Sequence, residues 1–279
     1  MDSRFVISPD GTRIAYDCNG SGPAILLLHG GGGSRVEWHQ AGYFQRLQDS
    51  FTLVAMDLRG HGDSDLPTDP AAYTPEALCA DILSVADACG LERFDLWGMS
   101  YGGKVGRYLA TRSHRVRRCV LMSTPLGPGV VGQRRQEAID FVGHWPPILA
   151  GLQDGTLDSA SLSPQDRETM ANINVPVVLA WATAMLDWPA VEPVDFLCPT
   201  LWLVGAEDPH AVESVRAHRD QFPGSPVQVE ILPGLDHMEV FEQVDMVLPL
   251  LVAFMQTVSL EGNKERNATI PDTRSPGGA

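Results

Sequence analysis

The chain has 279 residues, 44% hydrophobic and 20% charged, enough to bury a large core as one α/β domain or one domain with an insertion. Its 35 acidic residues outnumber 20 basic ones for a net charge of -15, which argues against nucleic acid or anionic membrane as a partner because phosphate recognition needs a basic surface. No apolar run is long enough to cross a bilayer, and Met1 to Phe5 lacks the basic-then-apolar order of a leader, so a cytoplasmic location is expected.

In chain order, residues 4–8 and 12–18 alternate in polarity around Pro9-Asp10-Gly11 and are predicted as a hairpin. Ala24 to Leu28 is a continuous apolar run, the pattern of a strand buried on both faces. It ends in His29-Gly30-Gly31-Gly32-Gly33, whose bare backbone amides suit a small oxyanion; pinned between that strand and a helix over 35–47, the glycines are not read as a mobile linker. A strand over 51–56 leads into Asp57-Leu58-Arg59-Gly60-His61-Gly62-Asp63-Ser64, read as a charged turn that ties its own backbone rather than as a metal site. Thr74 caps a helix with Pro75 in its first turn, and Gly90 closes it. Five scattered cysteines without C-x-x-C spacing are read mainly as small buried hydrophobes.

Asp95-Leu96-Trp97 then runs into Gly98-Met99-Ser100-Tyr101-Gly102-Gly103 and a helical stretch over 104–111. A bare Gly-x-Ser-x-Gly is a weak signal. Flanked by strand and helix, it predicts a tight turn that projects the Ser100 hydroxyl at a helix N-terminus. After a strand over 116–122 the alternation stops. Residues 126–195 read as an inserted helical cap broken at Trp145-Pro146-Pro147 and Pro176 and rich in large apolar side chains, among them Trp145, Trp181, Met185 and Trp188, the candidate substrate contacts. Alternation resumes with a strand over 200–204, a helix over 211–221, a strand over 227–232 and a helix near 244–258. The expected organisation is a core of 1–125 and 196–259, the cap over 126–195, and a disordered polar tail over 260–279.

A serine nucleophile needs a base and a group to orient it. His237 follows the last predicted strand, and Asp208 follows the one before it, with Glu207 as the neighbouring candidate acid. The amides of Gly31 and Tyr101 would converge on one oxygen. On these features, HGGGG at 29–33, DLRGHGDS at 57–64, GMSYGG at 98–103 and the order Ser100, Asp208, His237, the chain resembles the α/β-hydrolase fold superfamily over about residues 3–258. The resemblance implies a doubly wound, mostly parallel, eight-stranded sheet with an inserted helical cap. It also implies catalytic Ser100, Asp208 and His237, an oxyanion hole at Gly31 and Tyr101, a small-molecule substrate, and no metal or cofactor. Ser100 stands where the haloalkane dehalogenase and epoxide hydrolase branches carry aspartate.

The expected reaction is hydrolysis of a carboxylic ester or lactone of a small, largely apolar substrate. The alternatives are a carbon-carbon bond hydrolase, a cofactor-free perhydrolase, or a receptor that keeps the triad. Arg134 or Arg135 turned inward would instead favour an anionic substrate.

Overall fold

Alternating apolar and two-faced strand patterns resolve into one sheet. The computed structural model describes residues 3–268, with side chains through Gln256. Among the described residues eight strands form β1 (Arg4–Ile7), β2 (Arg13–Gly20), β3 (Ala24–Leu28), β4 (Thr52–Met56), β5 (Phe94–Met99), β6 (Val116–Met122), β7 (Thr200–Gly205) and β8 (Val227–Leu232), in the spatial order β1-β2-β4-β3-β5-β6-β7-β8. β2 runs antiparallel to β1 and β4; every other neighbouring pair is parallel. The order reverses between β3 and β5, where Leu28 lies beside Gly98, and the loops leaving these two strands therefore meet at one end of the sheet.

The continuous apolar strands are covered on both faces, as their sequences require. Leu26, Leu28, Leu96, Leu121 and Trp202 face one core, with α3 (Pro75–Ala88), α4 (Tyr101–Ala110) and α8 (Pro209–His218) packed over it. Their neighbours Ile25, Leu27, Trp97, Val120 and Leu201 face the other, under α1 (Val36–Gln40), α2 (Tyr43–Leu47), α9 (Glu239–Glu242) and the start of α10 (Val244–Ala268). Between β6 and β7 lie α5 (Gly132–Asp154), α6 (Pro164–Asn172) and α7 (Val175–Met185). No helix among the described residues is long and apolar enough to cross a membrane.

Three elements differ from the sequence expectation. The helix over 35–47 is two short ones, because Gly42 sits at φ 92° between them. The helix expected over 211–221 starts at Pro209, capped by Asp208, and gives way to a 3-10 turn after His218. Pro146 and Pro147 lie inside α5 rather than breaking it. They deprive the carbonyls of Val142 and Gly143 of their donors, but Gly143 is exposed and has open space around it, so water can take that place. Of the polar tail expected over 260–279, the first part continues α10 to Ala268 and residues 269–279 lie outside the described residues.

Candidate active site

The turn from β5 to α4 leaves no room for side chains. A Cβ on Gly98 would lie 2.6 Å from the Gly103 Cα, and one on Gly102 would lie 2.5 Å from the carbonyl oxygens of Leu28 and His29. A Cβ on Gly103 would collide with the Thr124 hydroxyl. Ser100 is thereby held at φ 48°, ψ -107°, a conformation costing about 1–3 kcal/mol that the surroundings must enforce. They do so through its backbone: the Ser100 amide donates to the Met122 carbonyl at 2.9 Å, and its carbonyl accepts from the Lys104 amide at 2.9 Å and the Thr124 hydroxyl at 3.1 Å.

Over this serine lies His237, from the loop after β8. Its Nδ1 is 2.6 Å from Asp208 Oδ2 and its Nε2 is 2.9 Å from Ser100 Oγ. The carboxylate selects the tautomer with the proton on Nδ1, which leaves Nε2 to accept the serine hydroxyl. Asp208 is buried, and its other oxygen accepts the Ala211 amide at 3.2 Å as the cap of α8. Burial opposes its ionisation, but the hydrogen bonds from His237 and Ala211 and the pull of His237 and His210 outweigh burial and hold its pKa below the ordinary carboxylate value. The neighbouring Glu207 is exposed, its amide bound to the Leu235 carbonyl. Gly205, at the end of β7, brings the two loops together: a Cβ there would collide with the carbonyl of Leu235 and lie 2.6 Å from that of Asp236.

Gly31 lies against Tyr101, with an added Cβ 3.4 Å from the Tyr101 Cβ. Neither the Gly31 nor the Tyr101 amide donates to another group among the described residues. The loop is braced from behind by His29, whose Nδ1 donates to the Gly30 carbonyl at 2.7 Å and whose Nε2 accepts the Leu58 amide at 3.0 Å. Burial and the neighbouring His61 push the His29 pKa down to about 3, so the ring is neutral. The charged turn after β4 ties itself together through Asp57, which accepts the Arg35 and Asp63 amides at 2.7 and 2.8 Å and pairs with the Arg35 guanidinium. Arg35 in turn reaches Asp17 and Asp63.

On the side of the β6–β7 segment, Trp181 is half-buried with its ring 5.4 Å from that of Tyr101 and 6.5 Å from that of His61. Trp188 is buried; its Nε1 donates to the Tyr73 carbonyl at 2.9 Å and its ring lies 6.1 Å from Tyr101. Met185 is buried in the same core, whereas Trp145 packs with Phe141 and His144 inside the helical segment. Arg134 pairs with Glu137 at 3.5 Å and Arg135 donates to the Leu186 carbonyl at 2.8 Å, both on the exposed side. Two residues stand closer in: His61, read from the sequence as part of a charged turn, and Lys104, to which the sequence reading gave no role. His61 is buried beneath Tyr101, and Lys104 lies one turn along α4 from Ser100 with its ammonium donating to the Gly129 carbonyl at 2.9 Å. A lysine four residues after Ser100, in a helix with no other charged residue before Arg107, was the available signal.

Residues 23–244 match the family described as the alpha/beta hydrolase fold. Epoxide hydrolase 1 of Siraitia grosvenorii is 30% identical over 206 residues, 68% of this chain and 64% of that protein. The chain spans less than two thirds of the length of the first curated relatives it matches. A thermophilic esterase from Thermogutta terrifontis aligns with a TM-score of 0.70 at 24% identity, over 92% of this chain and 99% of that one. The enol-lactonase from Burkholderia xenovorans LB400 aligns with a TM-score of 0.66 at 22% identity, over 91% and 100%. At these identities the structural likeness is one of fold.

Proposed function

The chain belongs to the alpha/beta hydrolase fold family, and on that premise we propose that it hydrolyses a carboxylic ester or lactone of a small, largely apolar molecule through an acyl-enzyme on Ser100. The observation that carries this reading is the continuous hydrogen-bond path from Ser100 Oγ through His237 to Asp208, 2.9 and 2.6 Å per step, beside two unengaged amides. Ser100 attacks the carbonyl carbon while His237 Nε2 takes the hydroxyl proton, and Asp208 stabilises the imidazolium that forms. The Gly31 and Tyr101 amides donate to the developing oxyanion, with the dipole of α4 behind Tyr101. His237 then gives its proton to the leaving alkoxide, takes one from the water that attacks the acyl carbon, and passes that proton to Ser100 Oγ as the bond between Oγ and the acyl carbon breaks, which frees the acid and restores the serine. Side chains and backbone amides serve every step. Trp181, half-buried over Tyr101, is the wall assigned to the apolar part of the substrate, with Met185 and Trp188 in the core it packs against; Trp145 lies apart, against Phe141 and His144.

Epoxide opening, the activity named for the Siraitia relative, does not fit a serine. Attack of a hydroxyl on an epoxide carbon leaves an ether, which offers water no carbonyl to attack, whereas attack by a carboxylate leaves a hydrolysable ester. The test is turnover of short 4-nitrophenyl esters together with labelling by a fluorophosphonate probe. Label confined to Ser100 and turnover lost in Ser100→Ala are the expected results. Label on another residue overturns the nucleophile, and ligand binding without turnover of any ester leaves the receptor reading.

A further inference from the structure

The chain pairs its buried cations with aspartates almost everywhere. Arg35 meets Asp17, Asp57 and Asp63; Arg59 meets Asp81 at 2.6 Å and Asp10 at 2.7 Å; Arg118 meets Asp95 at 2.8 Å. Lys104 and Arg107, neighbours on α4, are the exception: neither forms an ion pair with a carboxylate among the described residues. Arg107 is fully buried and donates to the Pro125 and Pro128 carbonyls at 2.6 and 3.0 Å, with its Nε unpartnered. Glu192, the carboxylate whose field reaches it, is taken by His218 at 3.2 Å and Gln221 at 2.9 Å. In a protein with 35 acidic residues against 20 basic ones, a fully buried arginine beside a half-buried lysine, neither with a carboxylate counter-ion among the described residues, is a costly arrangement.

Their location gives the cost a purpose. The Lys104 amide donates to the Ser100 carbonyl, so the lysine lies about one turn, roughly 6 Å of rise, from Ser100. The N-terminus of α4, toward which long helical side chains generally lean, is the end that carries Ser100. Gly129, whose carbonyl takes one of the three ammonium protons, lies against Met185 and, at 2.8 Å for an added Cβ, against Trp188 Cβ. The ammonium thus sits at the seam between α4 and the segment that covers the site, half-buried and with two donors left for a ligand. Burial, followed by the charges of Arg107 and Arg134, pushes its pKa down to about 7, so it keeps its proton firmly only when an anion joins it.

We propose that the Lys104 ammonium is the recognition point for a carboxylate on the substrate, so that the ester or lactone cleaved at Ser100 carries a second, anionic group. This rests on the reading of Ser100 as nucleophile and deepens it: the substrate has an apolar body that meets Trp181 and an acidic end that meets Lys104.

The experiment compares 4-nitrophenyl hemiesters of succinate, glutarate and adipate with neutral 4-nitrophenyl esters of the same chain length, in the wild type, Lys104→Met and Lys104→Arg. For the best hemiester, the ratio of its kcat/KM to that of its neutral counterpart is expected to fall by about tenfold or more in Lys104→Met, mainly through KM, the effect of losing one charge-assisted hydrogen bond. The ratio should be kept in Lys104→Arg. An unchanged ratio in a Lys104→Met protein of wild-type melting temperature overturns the proposal. Calorimetric titration of the free dicarboxylates into Ser100→Ala separates the two readings. Neutral esters turned over with no dicarboxylate bound overturns the carboxylate site alone. Dicarboxylate bound, and lost on adding Lys104→Met, with no ester turned over by the wild type, overturns the hydrolase reading and upholds the site.

Discussion

The strand ends that carry Ser100, Asp208 and His237 and the segment between β6 and β7 are built on opposite principles. At the strand ends, position is set by backbone against backbone: Gly98, Gly102 and Gly205 each face atoms that a single methyl group would strike. In the other region α6 buries no residue, and the 23-residue α5 buries only Trp145 and Gly151. That segment is held mainly through α7, whose Val177 and Ala180 pack on Tyr73, and through the Trp188 hydrogen bond to the same tyrosine. Reacting groups need placement to a fraction of an ångström, whereas a cover needs only to be attached. The difference teaches that the strand ends form a rigid region, placed by close backbone contact, while α5 and α6 belong to a loosely attached one, held by few buried side chains.

The rigid region breaks first at Ser100, its proposed nucleophile. Ser100→Ala is expected to lower kcat by up to about six orders of magnitude if the three side chains act as a unit, with the melting temperature held or raised because alanine replaces no buried partner. Next comes Asp208→Asn, which keeps the shape but presents an amide to Nδ1 and favours the wrong tautomer, at a cost of about 10⁴ in kcat. Glu207→Gln, on the exposed neighbour, should leave kcat within about twofold. A silent Asp208→Asn beside a damaging Glu207→Gln would reverse the assignment of the acid. Gly205→Ala follows. It touches none of the three residues but drives a methyl into the Leu235 and Asp236 carbonyls and shifts the loop bearing His237, and a misplacement of about 1 Å costs roughly 10²-fold. Wild-type kcat in that variant would mean that the loop yields freely and is not part of the rigid frame.

These same contrasts decide what could be read from the amino-acid order. The turn at Ser100 was legible because its constraints are local: strand, glycines and helix lie within the seventeen residues from Phe94 to Ala110, and the chemistry of glycine is visible in one letter. Asp208 and His237 were legible only through topology, as the residues following the last two strands. Gly205 gave no local sign, since its constraint comes from a carbonyl thirty residues on. Prolines 146 and 147 misled because their cost depends on whether water reaches the orphaned carbonyls, which is a property of exposure. Lys104 was passed over for a related reason: it is unusual because of the carboxylate that is missing around it, and a missing partner has no letter in the sequence.

Asp208 also gives the rigid region a pH signature. Its folded pKa lies below the ordinary carboxylate value, so the ionised group adds stability that is fully present above its unfolded value near ~4 and is lost as pH falls through the lower folded one. Asp208→Asn has no such component. The melting temperature of the wild type relative to Asp208→Asn should therefore be highest above about pH 4 and decline below it. A difference that stays constant down to about pH 2.5 would mean that the carboxylate gains nothing from His237 and the Ala211 amide.

The smallest effect is expected where the two regions touch, at Trp188. Its ring stands edge-on to Tyr108 at 5.5 Å and 88° and lies beside Tyr101, while its one polar atom is committed to the Tyr73 carbonyl. Trp188→Phe removes that donor and leaves a buried carbonyl unpaired, a loss of about 1–3 kcal/mol, which for a domain of this size lowers the melting temperature by roughly 2–4 °C per kcal/mol. Catalysis should respond far less, because phenylalanine keeps an aromatic face toward Tyr101 and the amides proposed to hold the oxyanion do not depend on the indole. We expect kcat/KM for 4-nitrophenyl acetate to stay within about threefold of the wild type, the equivalent of less than 1 kcal/mol. Lengthening the acyl chain distinguishes a strut from a substrate contact. A strut gives the same small change for acetate, butanoate and hexanoate, whereas a pocket wall gives a KM that rises with each added methylene, since each is worth about 0.8 kcal/mol when buried. A KM penalty growing along that series would move Trp188 from the framework into the pocket and extend the loosely attached region as far as Tyr101.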